Sequence, residues 1–149
     1  MKDLSDTSWH SRGKQRLKRG GMFYTAQSGI WQSVWVEWVP ETYIKKTAIS
    51  CNVDERSFTV LVTLNRPLKH SLLASASCTL LDSEKNPLAK APLVCVNQEA
   101  SFIVANYICT FTLESPLLWT PDTPNLYYFS ISAGADTVLS YSAMRSFSV

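Results

Sequence analysis

Along most of this chain apolar and polar positions alternate with a period of two, the signature of half-buried β-strands rather than helices. The clearest case is residues 57–64, where Phe58, Val60, Val62 and Leu64 alternate with Ser57, Thr59 and Thr63. Residues 43–53 put Ile49, Cys51 and Val53 on one face, and residues 72–81 do the same with Leu72, Ala74, Ala76, Cys78 and Leu80. A weak segment at 91–96 precedes a strong one at 101–113, which aligns Ile103, Tyr107, Cys109 and Phe111. Residues 125–133 and 137–149 read as a hairpin about Gly134-Ala135-Asp136. Leu126, Tyr128 and Ile131 fall in its first arm, and Leu139, Tyr141, Ala143 and Phe147 in its second. One more strand is expected from Ile30 to Pro40, carrying Trp31, Val34, Trp35, Val36 and Trp38; Pro40 closes it because proline has no N–H for a ladder.

The breaks agree with this reading. Asp54-Glu55-Arg56 and residues 82–87 are turns, Asn65-Arg66-Pro67 interrupts, and three prolines within 115–124 exclude both helix interior and central strand. Residues 1–21 read as an irregular lead-in ended by Gly20-Gly21. About seven short strands with regular turns predict an all-β, immunoglobulin-like antiparallel β-sandwich over residues 41–149, without the Cys…Trp…Cys spacing of true immunoglobulin domains. Residues 1–40 are then a lead-in plus one strand belonging to a neighbouring sheet.

Composition and charge narrow the chemistry. The 149 residues are too few for a (β/α)₈ barrel of about 250. The low charged fraction, 17%, with 11% aromatic residues, argues against disorder. The net charge of +2 is uneven: residues 1–20 hold six basic and two acidic side chains, so all the positive excess lies there. That basic stretch, including Lys14, Arg16, Lys18 and Arg19, lacks interleaved aromatics or a recognition helix, so no nucleic-acid partner is expected. No apolar run reaches the 18 to 20 or so residues of a membrane span, so no membrane partner is expected either. Cys51, Cys78, Cys95 and Cys109 form no C-x-x-C pair and lie far from His10 and His70, so no metal site and no cofactor are expected. The cysteines read mainly as buried thiols acting as small hydrophobes.

Most of the twelve acids fall in turns, and no catalytic residue is assigned. Glu37, between Trp35 and Trp38, reads as an outward-facing strand residue rather than a sugar-site carboxylate. Trp31 and Trp35 share one face and Trp38 takes the other, which suits packing between domains better than a sugar platform. Trp119 reads as a plug at one end of the sandwich.

Three motifs carry a resemblance. The first is Arg12-Gly13-Lys14-Gln15, then Tyr24-Thr25, then Ser28-Gly29-Ile30-Trp31-Gln32-Ser33-Val34-Trp35-Val36-Glu37. The second is Leu118-Trp119-Thr120-Pro121-Asp122-Thr123-Pro124-Asn125-Leu126-Tyr127, and the third is Ser140-Tyr141-Ser142-Ala143-Met144-Arg145. In order and spacing they resemble glycoside hydrolase family 2, the β-galactosidase and β-glucuronidase-like enzymes. The resemblance implies a retaining glycosidase built from a jelly-roll sugar-binding domain, an immunoglobulin-like sandwich and a (β/α)₈ barrel with two catalytic glutamates. By it, residues 1–40 are the last part of the jelly-roll, residues 41–149 the sandwich, and neither glutamate is covered. The sandwich is then a non-catalytic scaffold whose partners are the jelly-roll, the barrel and the carbohydrate substrate, with self-association through the strand from Ile30 to Pro40. Lys14, Gln15 and Tyr24 are the implied substrate contacts, and Gly29, Trp31, Trp35, Trp119, Pro121 and Arg145 the structural motif residues. The alternative reading is a free-standing carbohydrate-binding or adhesion module that uses the aromatic strand.

Overall fold

A computed structural model describes residues 13–27, 29, 30, 32–97 and 104–146. The chain divides into two compact units, Met1–Glu37 and Trp38–Val149. In the first, β1 (Gln15–Arg16) pairs in parallel with β2 (Tyr24–Thr25). In the second follow β3 (Ile44–Asn52), β4 (Ser57–Leu64), a single helical turn α1 (His70–Leu73), β5 (Ser77–Leu81) and β6 (Pro87–Pro92). After these come β7 (Val94–Asn97), β8 (Ala105–Thr112), β9 (Tyr127–Ala133) and β10 (Asp136–Ser142).

The eight strands among the described residues of the second unit form two antiparallel sheets, ordered β3-β4-β8-β7 and β10-β9-β5-β6. This is the all-β sandwich that the alternation predicts, with the strand order of an immunoglobulin-like domain. Period two decides which side chains lie inside. Along β4, Phe58, Val60, Val62 and Leu64 are buried; along β8, Ala105, Tyr107, Cys109 and Phe111; along β9, Tyr127, Phe129, Ile131 and Ala133. Phe58 meets Phe129 edge-on at 5.3 Å and Tyr127 at 5.2 Å, so the aromatic centre bridges the sheets. Such tilted contacts match positive ring edges to negative faces.

The loops are tied to this core by specific hydrogen bonds. The buried Leu68 amide donates to the Tyr107 hydroxyl at 3.0 Å, which removes the cost of an orphaned buried N–H. Asn65 closes the open end of the β3-β4 hairpin: its Oδ1 accepts from the Tyr43 amide and its Nδ2 donates to the Glu41 carbonyl. Asp136 accepts from the Ile44 amide at 2.7 Å, joining the start of β10 to the start of β3. Gly134, in the β9-β10 turn, has φ 66°, a conformation that side chains with a Cβ disfavour.

Four expectations differ from the structure. The strand expected from Ile30 to Pro40 is absent: Ile30 and residues 32–40 join no ladder, because no described strand offers them its backbone groups. Trp31, Ile103 and Phe147 lie outside the described residues. The strand expected at 72–81 begins only at Ser77, and α1 occupies its start. The Ala and Ser residues there suit a helical turn as well as a strand, and the Ser75 hydroxyl donates to the Leu72 carbonyl. The weak segment at 91–96 is two strands rather than one: β6 pairs with β5, the buried Leu93 crosses the core, and β7 pairs with β8 in the other sheet. With that crossing, eight strands of the sandwich lie among the described residues. The lead-in is also less irregular than expected, since β1 and β2 pair within it.

Tyr107→Phe is expected to cost about 1–3 kcal/mol, because the buried Leu68 amide loses its acceptor. Urea unfolding should show a lower midpoint at unchanged slope. Tyr127→Phe, whose hydroxyl accepts from the amide of the exposed Leu117, should cost less because water can replace it. Equal losses at both positions would contradict this account.

Candidate functional site

The expected substrate contacts Lys14, Gln15 and Tyr24 fall on or beside the β1-β2 pair. Gln15 stands opposite Tyr24 in register, and the Tyr24 amide donates to the Lys14 carbonyl at 2.7 Å. The Gln15 Oε1 accepts from the Gln27 amide at 3.1 Å, which folds the chain after β2 back on β1. The Gly20-Gly21 turn makes this possible, with Gly21 at φ 58° and the Phe23 amide donating to the Gly20 carbonyl. Arg16 stacks on the Phe23 ring at 3.8 Å, a pairing that the sequence reading did not single out. The Tyr24 ring is 69% exposed. The arrangement thus presents an ammonium donor and an accessible aromatic face, groups able to meet the hydroxyls and ring of a sugar.

Of the expected motif residues in the same unit, Gly29 is exposed and Trp35 is 71% exposed. Glu37 is exposed, but so are its neighbours Val36 and Trp38, and the alternating strand on which it was expected to face outward is not formed.

Trp119, Pro121 and Arg145 belong to the second unit, where the structure shows why distant motifs accompany one another. Trp119 is half-buried, its amide donates to the Met144 carbonyl at 2.9 Å, and the Arg145 guanidinium lies 4.8 Å from its ring. Residues 118–127 organise themselves. Thr120 Oγ1 accepts from the Thr123 amide and lies 2.6 Å from Thr123 Oγ1. The Thr120 amide in turn donates to the Thr123 carbonyl at 3.0 Å. Asn125 Nδ2 donates to the Leu118 carbonyl at 3.0 Å. Pro121, exposed at the tip, fixes φ in this tight loop. The roles of Thr120, Thr123 and Asn125 went unassigned in the sequence, although Thr, Asn and Pro between apolar residues are the signal for such a loop.

Several carboxylates have local backbone or side-chain partners. Glu41 pairs with Arg66, and Asp136 is engaged with Ile44. Asp82 caps the 82–86 turn, where the Asn86 backbone amide, its side-chain amide and the Glu84 amide hold its carboxyl below the ordinary aspartate range. Among the described residues no group of three or more His, Cys, Asp or Glu side chains is placed to hold a metal ion. No described helix is long and apolar enough to cross a membrane.

The second unit is therefore an immunoglobulin-like sandwich domain. Its sequence agrees: the model of Glycosyl hydrolases family 2 matches residues 42–145, well over half of the chain, and the chain belongs to that family. No curated protein matches it.

Because the folded carboxyl of Asp82 is depressed, the bonds it accepts are complete above the unfolded value and lost as pH falls through the folded one. An NMR titration should give Asp82 a midpoint below the roughly 3.9 of a free aspartate, with the Asn86 amide shifting in step. A midpoint at or above that value would remove the capping role.

Proposed function

We propose that residues 41–149 are a non-catalytic scaffold domain of a β-galactosidase-like glycosyl hydrolase, spacing a jelly-roll sugar-binding domain from a (β/α)₈ catalytic barrel. The family match over residues 42–145 carries this reading, since it coincides with the sandwich. Retaining hydrolysis of a glycosidic bond requires two carboxyl groups about 5 Å apart beside the sugar, one of them kept protonated by its surroundings. Glu41, Asp82 and Asp136 instead serve an ion pair, a turn and a strand start, which supports a structural role for them. In this reading residues 1–40 are the last part of the jelly-roll. Lys14, Gln15 and Tyr24 lie at the mouth of the active site and reach the carbohydrate substrate when the barrel is in place.

Chromogenic β-galactosides, β-glucuronides and β-mannosides should show no turnover by the purified chain. Turnover that a single Glu→Gln change abolishes would overturn the scaffold reading. A chain shortened by residues 1–37 should keep a cooperative unfolding transition, because the described hydrogen bonds of the sandwich join residues within Trp38–Val149. A shortened chain without such a transition would refute an independently folded sandwich.

A second reading draws on one observation, the exposure of Trp35 at 71% and Trp38 at 98%. Solvent-facing indoles suit a free-standing carbohydrate-binding or adhesion module, and equally self-association through the segment from Ile30 to Pro40. A glycan array separates these outcomes. Binding that Trp35→Ala removes favours the module, whereas a blank array with concentration-dependent sedimentation favours self-association.

A further inference from the structure

The outer face of the β10-β9-β5-β6 sheet carries a chemistry that packing of the core does not require. Along β5 and β9 every second side chain points away from the core, and the ladder registers set these residues in rows across the sheet. Leu139, Ser130, Thr79 and Lys90 form one row, from β10 across β9 and β5 to β6. Thr137, Ser132 and Ser77 form the row on one side of it, and Tyr141, Tyr128 and Leu81 the row on the other. The Ser132 and Thr137 hydroxyls lie 3.1 Å apart, whereas Ser77, Thr79 and Ser130 have no side-chain hydrogen bond among the described residues. The two tyrosine rings tilt against one another at 6.3 Å, and Tyr141 is 67% exposed.

The charges that this face offers are positive. Lys90 is the only charged side chain in the three rows, and the Lys85 ammonium stands over the Tyr128 ring at 5.5 Å. The neighbouring acids are engaged elsewhere. Asp82 accepts from the amides of Glu84 and Asn86, and Glu84 Oε2 accepts from Asn86 Nδ2, all within the 82–86 turn. Asp136 pairs with Ala133, so it faces inward, where it accepts from the Ile44 amide. Beside Lys90 the face deepens into an open cleft of about 430 Å³, to which Ser75, Ser77 and Pro92 contribute. That volume falls in the range of small-molecule sites, roughly 300–1,000 Å³.

An accessible aromatic pair, unbonded hydroxyls and a cation complement the ring, the hydroxyls and an acid group of a sugar. The ring's C–H face stacks on tyrosine, its hydroxyls bond to Ser and Thr, and a carboxylate takes a charge-assisted bond from lysine. Strand spacing of about 4.8 Å and a rise of about 3.4 Å per residue set Lys90 about 12 Å from Tyr128 and about 16 Å from Tyr141. A single sugar cannot touch both ends, and a short chain of sugars can. We propose that this face and its cleft bind a short acidic oligosaccharide, a uronic-acid chain with a carboxylate at Lys90 and a ring on Tyr141 and Tyr128. Two lysines suit a few carboxylates rather than a densely charged polyanion such as a nucleic acid. The row of Ser77, Thr79 and Ser130 offers hydroxyls where an acidic peptide would need pockets for its side chains. Binding here is separate from the scaffold role and from the Trp35 segment, since a chain that turns over no substrate can still hold a glycan.

The test uses the full chain, titrated with tetragalacturonate and read by calorimetry and by amide shifts in NMR. Cellotetraose serves as the neutral control and a short polyglutamate peptide as the acidic one. Tetragalacturonate should bind, and both controls should bind about tenfold more weakly or not at all, the difference that one charge-assisted bond makes. Lys90→Gln should weaken tetragalacturonate by about the same factor, and Tyr141→Ala several-fold through the lost stacking. Trp35→Ala should leave the affinity unchanged. The shifts should gather at Thr79, Lys90, Ser130 and Tyr141. No binding of tetragalacturonate at millimolar concentration, or equal binding of either control, would overturn the proposal. So would an affinity that survives both Lys90→Gln and Tyr141→Ala, or one that Trp35→Ala abolishes. Lys90 and Tyr141 are both exposed, and if either variant does not fold, the shifts on the natural chain decide: shifts confined to residues off this face refute the site.

Discussion

The contact between the buried faces of β4 and β9, centred on Phe58 against Phe129, is the constraint from which the rest of the sandwich follows. Each strand is central in its own sheet. β4 carries β3 and β8 on its two edges, and β9 carries β10 and β5. Once the two stripes face each other, the alternation along both strands decides which residues of their neighbours are buried. A shift of one residue in either register would turn Phe58 or Phe129 to solvent and replace it with a polar partner. The aromatic centre therefore specifies register as well as supplying burial, with each fully buried phenylalanine contributing about 1.5–3 kcal/mol.

What was legible in the sequence follows from the same physics. Strands with one face on this core, β3, β4, β8 and β9, alternate cleanly because one side is always apolar. The strand β6 does not, since it is an edge with prolines at both ends and exposed residues through Lys90. Edge strands are commonly protected in this way, which removes the pattern that would reveal them. Its separation from β7 at Leu93 was hidden as well, because a single buried residue between the exposed Pro92 and Val94 has no period. Helix α1 escaped notice because four residues are too few for a helical repeat. The segment from Ile30 to Pro40 misled in the opposite direction. Trp, Val and Ile favour strands, yet a strand exists only where a neighbour completes its hydrogen bonds, and propensity cannot supply one.

For the candidate site, sequence identified positions and structure supplied relations. Lys14, Gln15 and Tyr24 were legible only as members of a motif spread over a dozen residues. Their adjacency depends on the Gly20-Gly21 turn and on the Gln27 amide reaching Gln15, and neither has a sequence pattern specific enough to predict a two-residue parallel pair. The Arg16–Phe23 stack arises from the same turn.

The Trp119 loop shows what a recognisable motif can stand for physically. Leu118 to Tyr127 and Met144-Arg145 are separated in sequence by the β9-β10 hairpin, yet they form one packed unit. The Trp119 amide bonds to Met144, the Arg145 guanidinium covers the indole, and the Cys51 thiol reaches the Arg145 carbonyl at 3.6 Å. Met144 is fully buried, so the chain after β10 is anchored at the end of the core rather than left beside it. The loop in turn depends on its own Thr and Asn bonds to present the indole at the right height. A change in either segment is therefore felt by the other, which gives a physical reason for the two to occur together. The direction in which residues 143–146 leave the sandwich is set by this stack and by the core beneath it. The Arg145 guanidinium over the indole and the buried Met144 beside it thus give this end of the domain an oriented surface.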